Sequence, residues 1–84
     1  MGKQESLNKI CEVIRYLTKG DANPLREIRH IIYNGNEYAV PVFEDGAGEP
    51  NQYYPEGYYA VNITANSELW NLVAIVESFV KRVW

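Results

Sequence analysis

Apolar residues near the start of the chain recur at helical spacing. Leu7, Ile10, Cys11, Ile14 and Leu17 fall on one stripe, which predicts an amphipathic helix over 6–19. Ser6 suits its N-cap and Gly20 its left-handed stop. A second stripe, Leu69, Leu72, Val73, Val76, Phe79, Val80 and Val83, predicts a helix over 67–83. Asn66 or Ser67 would cap it. Glu68 stands in its first turn and Lys81-Arg82 in its last, as the helix dipole favours. Trp70 flanks this stripe, and Ile75 falls off it, toward solvent.

Between the helices the period changes to two. Leu25, Ile28, Ile31 and Ile32 fit a short helix capped by Asn23 with Pro24 at its first position. The competing reading is a hairpin of strands 26–33 and 37–43 across Asn34-Gly35-Asn36. Register favours the hairpin. A three-residue loop pairs Ile32 with Tyr38, His30 with Val40 and Ile28 with Val42, giving one mostly apolar face. Asn36 would take the left-handed position of that loop. A two-residue loop would set Ile32 against Glu37 and mix the faces. Pro41 cannot donate a ladder bond, so strand 37–43 is an edge or its pairing to a third strand breaks near Pro41. Strand orders 1-2-3 and 2-1-3 both satisfy this. The third strand is expected over 58–64, with Tyr59, Val61 and Ile63 on one face and Tyr58, Ala60, Asn62 and Thr64 on the other.

The fold class expected is α+β: a two-layer sandwich in the order helix–strand–strand–strand–helix, its three-stranded antiparallel sheet carrying both helices on one face. The covered face would hold Ile28, Ile32, Tyr38, Val40, Val42, Tyr59, Val61 and Ile63. An 84-residue chain, 46% hydrophobic and 23% charged, fits a single domain over 1–84 with a modest core. A net charge of −3 disfavours generic binding to nucleic acid or anionic membrane. One cysteine, Cys11, allows no intramolecular disulfide and points to a reducing, cytoplasmic setting. No apolar run reaches the roughly 20 residues of a membrane span. Met1-Gly2-Lys3-Gln4-Glu5-Ser6 fits the N-myristoylation pattern, so membrane association is expected only if Gly2 is acylated. The opening MGKQ resembles the start of some myristoylated calcium sensors, but no calcium loop follows. Asn62-Ile63-Thr64 matches a glycosylation sequon inside an expected strand.

Catalytic chemistry finds little to work with. His30 is the only histidine and points toward the helices in the favoured register. Cys11 lies in a core stripe with no base near it in sequence. One histidine and one cysteine compose no zinc site. Asp45-Gly46-Ala47-Gly48-Glu49 is not a calcium loop, and Gly46-Ala47-Gly48-Glu49-Pro50-Asn51 is not a phosphate cradle. The expectation is a non-enzymatic protein with no catalytic, cofactor-binding or metal-binding residues. The element order also resembles that of double-stranded-RNA-binding domains, which hold phosphates with lysines at the start of the last helix. Here that position reads Asn66-Ser67-Glu68-Leu69, so nucleic-acid binding through this topology is the alternative rather than the leading reading.

One stretch stands out. Asn51 to Val61 reads NQYYPEGYYAV, with four of the chain's seven tyrosines. It closes a loop over 44–57 that holds four acidic residues and no lysine or arginine. The uncovered sheet face would add aromatic residues beside it. Tyr53, Tyr54, Tyr58, Phe43 and Tyr33 with Glu44, Asp45, Glu49 and Glu56 form the candidate partner-binding set. Tyrosine offers large contact area at low entropy cost, and the acidic residues suit a basic partner, which could itself bind nucleic acid. In size, charge and patch the chain resembles phage-encoded inhibitors of host defence nucleases. Homodimerisation, through the same face or through Ile75 and Trp84, is the other reading.

Overall fold

The computed structural model describes residues 2–64 and 68–83, and the side chains of 2–64 and 72–79. The elements are α1 (Lys3–Leu17), β1 (Leu25–Tyr33), β2 (Asn36–Phe43), β3 (Val61–Asn62) and α2 (Glu68–Val83). The strands form one antiparallel sheet in the order β1-β2-β3. The fold is α+β, with the expected order of elements.

α1 starts earlier than its sequence signal. Gly2 is the N-cap, without a side-chain cap bond, and Ser6 lies inside the first turn, its N–H donating to Gly2 O at 3.2 Å. Leu7, Ile10, Cys11 and Ile14 are buried as the stripe requires. Leu17 is exposed, and Thr18 is buried in its place. Three helical turns take about 10.8 residues, so Thr18 returns to the azimuth of Leu7 and Leu17 does not. The Thr18 hydroxyl donates to Ile14 O at 2.7 Å, which satisfies it in the core.

The hairpin forms, and the short-helix alternative over 25–32 does not. Its loop, however, is two residues long: Tyr33 pairs with Asn36, and Asn34 and Gly35 both have positive φ, 51° and 77°. That is the type I′ geometry for which Asn-Gly is the preferred pair. The expected three-residue loop is therefore wrong by one position, and Ile32 does face Glu37, His30 faces Ala39 and Ile28 faces Pro41. One residue of register turns a whole strand over. Ala39, Pro41 and Phe43 share the helix side, while Tyr38, Val40 and Val42 point away from it.

The core explains why this register is stable. One apolar cluster joins Leu7, Ile10, Cys11 and Ile14 of α1 to Leu25 and Ile28 of β1, Ala39 of β2, Ile63, and Ile75 and Phe79 of α2. Val40 and Val42 lie outside that cluster yet are fully buried. β2 is thus covered on both faces, by the helices on one side and by the segment after Phe43 on the other. The continuous apolar run Ala39-Val40-Pro41-Val42-Phe43 is what a strand buried on both faces reads like.

Two further expectations change. β3 is two residues long, not seven; it pairs Asn62 with Tyr38 and Val61 with Ala39, and Tyr58 and Tyr59 lie in turns. Pairing stops before Pro41, which resolves the strand order to 1-2-3 and leaves β2 central. In α2, Ile75 is fully buried and Val73 is 43% exposed, the reverse of the expectation for these two residues, while Leu72, Val76 and Phe79 of the expected stripe do face the core. Leu72, Ile75, Val76 and Phe79 also fall at i, i+3, i+4 and i+7. A helix this apolar offers two stripes, and the one carrying Ile75 and Phe79 turns inward. The capping candidates Asn66 and Ser67 and the side chains of Trp70 and Trp84 lie outside the described residues.

Candidate functional site

The segment between β2 and β3 is built from turns that close on one another. Phe43 N donates to Ala47 O at 2.9 Å and Gly46 N to Phe43 O at 2.9 Å. Asp45 Oδ1 accepts from Ala47 N at 2.8 Å, and Asn23 Oδ1 accepts from Asp45 N at 3.0 Å, tying the turn to the residues before β1. Farther on, Asn51 Oδ1 accepts from the backbone N–H groups of both Tyr53 and Tyr54, at 2.8 and 3.0 Å. Tyr54 O in turn accepts from Asn51 N at 3.2 Å and Gly57 N at 2.8 Å. This is the side-chain mimicry of a backbone turn at which asparagine excels.

Gly57 seats the segment on the sheet. It is buried, has φ +90°, and a Cβ there would stand 2.5 Å from Val40 Cγ1. The backbone at Gly57 thus lies directly on the second face of β2, where only glycine fits. The sheet face expected to meet water is covered there.

On this base stands a row of aromatic rings. Phe43 and Tyr59 meet edge to face at 5.7 Å, Tyr59 and Tyr58 at 4.9 Å, and Tyr58 and Tyr54 at 5.1 Å, each pair within a few degrees of perpendicular. Such T-shaped pairs add about 0.5–1.5 kcal/mol each beyond area burial. The row runs from the core outward: Phe43 packs against the core cluster, Tyr59 is half-buried, and Tyr58 and Tyr54 are 63% and 46% exposed. Tyr53, next to Tyr54, is 78% exposed. Of the candidate residues, Tyr53, Tyr54 and Tyr58 therefore come together on one exposed ridge. Phe43 is instead the buried root of the row, and Tyr33 is half-buried at the hairpin end of β1.

The acidic residues are less uniform than their sequence. Glu49 lies 2.9 Å from Arg26 Nη2 and 2.8 Å from Arg29 Nη2. Glu27 binds the same arginines, at 3.3 Å from Arg26 Nη2 and 3.0 Å from Arg29 Nε. Hydrogen bonding from Arg29, above all, holds the Glu27 carboxyl below the ordinary carboxylate range and raises Arg29 in return. Glu44 stands 4.0 Å from Arg15. Among the described residues Glu56, beside the tyrosines, is left without an ion-pair partner. Of the four acidic residues of the loop, Glu49 is thus paired by β1 and Glu44 by α1, pairings that sequence separation hides.

His30 and Cys11 have structural surroundings. His30 Nε2 lies 2.9 Å from Glu37 Oε1, and Lys3 Nζ lies 2.8 Å from Glu37 Oε2. The Lys3 hydrogen bond, with a smaller share from His30, holds Glu37 below the ordinary carboxylate range. Burial pushes the Cys11 thiol up, away from the reactive thiolate. Lys3 and Gln4 of the myristoylation pattern sit in the first turn of α1, Lys3 on Glu37 and Gln4 on the backbone of β1. Asn62 of the sequon accepts from Thr64 N at 2.9 Å. Among the described residues no cluster of histidine, cysteine and carboxylates could hold a metal ion, and no helix is long and apolar enough to cross a membrane.

Comparison with protein-family models, with curated proteins and with solved structures returns no match to this chain.

Proposed function

We propose that this protein is a non-enzymatic binding module that docks on a protein partner through the ridge of Tyr53, Tyr54 and Tyr58. One observation carries the reading: three exposed tyrosines stand on a loop held by Asn51 and by Gly57 against Val40. Exposed aromatic residues on a rigid base combine large contact area with little ordering cost on binding. The surroundings favour a basic partner, because Glu56 is unpaired beside the ridge while Arg26, Arg29, Arg15 and Lys3 are engaged with carboxylates. The same pairing engages four of the eight lysine and arginine residues with carboxylates, which weighs against the nucleic-acid alternative. An inhibitor that blocks a basic surface of a larger protein fits this description.

The test is capture from a candidate host by the wild type and by a variant with Tyr53, Tyr54 and Tyr58 all changed to Ser. The expected result is a stoichiometric partner retained by the wild type alone, with circular dichroism of the two proteins unchanged. Identical retained proteins for both would overturn the proposal.

Self-association has its own observation. Val13, Tyr16 and Leu17, at i, i+3 and i+4, are all exposed on α1. The routes read from sequence are weaker, since Ile75 is in the core and the second sheet face is covered at Val40. Sedimentation velocity across a wide concentration range checks this: a dimer that Val13→Asp dissociates supports it, and a monomer throughout removes it.

A further inference from the structure

The recognition mode follows from what the rest of the surface closes off. A partner strand adds to an open sheet edge. Here β3 pairs over two residues only, and the outer backbone of β1 is covered from Arg26 to His30. The Gln4 carboxamide donates to Ile28 O and accepts from His30 N, both at 2.8 Å, and Cys11 Sγ lies 3.8 Å from Arg26 O. Capture of a phosphorylated or acidic motif needs free arginines; among the described side chains Arg26 and Arg29 are engaged with Glu27 and Glu49, and Arg15 stands 4.0 Å from Glu44. An amphipathic helix needs an apolar groove, whereas the ridge presents phenol rings whose edges end in hydroxyls.

An extended polyproline segment needs what the ridge offers. Such a segment has no internal hydrogen bonds, so its carbonyls are open to donors, and its ordering cost is low. The Tyr53, Tyr54 and Tyr58 hydroxyls have no protein partner among the described residues and are available as donors. Tyr54 and Tyr58 stand perpendicular with centroids 5.1 Å apart, so the ridge presents both a ring face and a ring edge as exposed aromatic surface. Pyrrolidine rings dock in aromatic-lined sites of this kind. Glu56, between Tyr54 and Tyr58 in the chain and without an ion pair among the described residues, supplies charge complementarity to one basic residue beside the prolines. We infer that the ridge of Tyr53, Tyr54 and Tyr58 binds a proline-rich, polyproline-II segment of a partner protein that carries an arginine or lysine beside its prolines. The inference rests on the protein-binding reading above and narrows it to one ligand class.

The experiment is fluorescence anisotropy with three labelled peptides of about twelve residues each, long enough for roughly four polyproline turns. One is proline-rich with a terminal arginine, one is rich in valine and threonine with the same charge, and one is an alanine-rich helix former with the same charge. Saturable binding of the proline-rich peptide alone is expected. Tyr58→Ala or Tyr53→Ala should weaken it about tenfold, and Glu56→Gln or loss of the peptide arginine about threefold. Tyr53 projects to solvent, so Tyr53→Ala keeps the fold even where Tyr58→Ala disturbs the aromatic row. Absence of proline-peptide binding, or binding that Tyr53→Ala leaves unchanged, overturns the inference. Binding of a control peptide at the tyrosines overturns it too, yet leaves the ridge a protein-binding surface, so the two proposals fail separately.

Discussion

The side chain of Gln4 is hydrogen bonded to the backbone of His30: Oε1 accepts from His30 N at 2.8 Å. Its Nε2 donates to Ile28 O at the same distance. A single carboxamide thus occupies the place of a peptide group from a missing fourth strand. It closes the edge of β1, which natural sheets must protect from pairing with another chain. Gln4→Ala is expected to cost about 0.5–1.5 kcal/mol, since both bonds are partly exposed, and to open β1 to self-pairing. Urea denaturation measures the first effect, and sedimentation at rising concentration the second. A variant as stable and as monomeric as the wild type would show that the clamp does neither.

Gly57 and Gly35 separate two penalties. Both have positive φ, but a Cβ at Gly35 meets nothing within 4 Å, whereas one at Gly57 strikes Val40 Cγ1 and approaches Gly48 O at 3.0 Å. Gly35→Ala should cost about 1–2 kcal/mol, the left-handed term alone. Gly57→Ala adds a clash with a buried valine and should cost about 2–5 kcal/mol, because overpacking adds about 1–3. It should also lift the tyrosine ridge from the sheet. Chemical denaturation gives the order of the two variants, and tyrosine fluorescence reports whether the ridge moves.

The elements were legible because their signals are local. The α1 stripe Leu7, Ile10, Cys11 and Ile14 needs only helical period, and Asn34-Gly35 only turn chemistry. The register is less legible because it depends on a global property, whether one sheet face or both are covered; one apolar and one wet face would favour the three-residue loop. Under that arrangement Ile32 opposite Glu37 looks like an error. In the folded chain Glu37 is paired with Lys3 and His30 at the end of the sheet, and both faces at Val40 and Ala39 are dry. The run Ala39-Val40-Pro41-Val42-Phe43 carried that information, since it does not alternate. The tyrosines fared better: Tyr59 is the half-buried member, and Tyr53, Tyr54 and Tyr58 are exposed. The pairing of Glu49 with Arg26 and Arg29 is not legible in the sequence, because it depends on how the loop folds back over twenty or more residues of the chain.

Glu37 and Glu27 predict the acid response. Both carboxyls lie below their ordinary value in the folded protein, Glu37 chiefly through Lys3 and Glu27 chiefly through Arg29. A depressed carboxylate stabilises the fold above its unfolded value of about 4.3, and that stabilisation is lost as pH falls through the folded value. Stability should therefore rise with pH across the acid range and level off above it. Glu37→Gln should be less stable than the wild type near about pH 6 and converge on it as pH falls below the lowered folded value. Urea midpoints at a series of pH values test this. A difference that stays constant with pH would mean that Glu37 acts through packing and not through charge.

Ile75 and Val73 fix the rotation of α2. Ile75 is fully buried in the cluster that joins both helices to the sheet, and Val73, two residues earlier, is largely outside it. Truncating a buried isoleucine to alanine costs about 2–5 kcal/mol through lost burial and the cavity left behind. An exposed valine to alanine stays within about 0.5 kcal/mol, with the better helix propensity of alanine offsetting lost contact. For a domain this small, with a total stability of about 5–10 kcal/mol, the first change takes a large share of the margin. Ile75→Ala should thus lower Tm by about 10 °C or more, and Val73→Ala by a few degrees at most. The reverse order would put Val73 inward and Ile75 outward, the rotation that the longer stripe from Leu69 to Val83 favours. Thermal melts of the two variants decide between two settings of one helix that differ by roughly 50° about its axis.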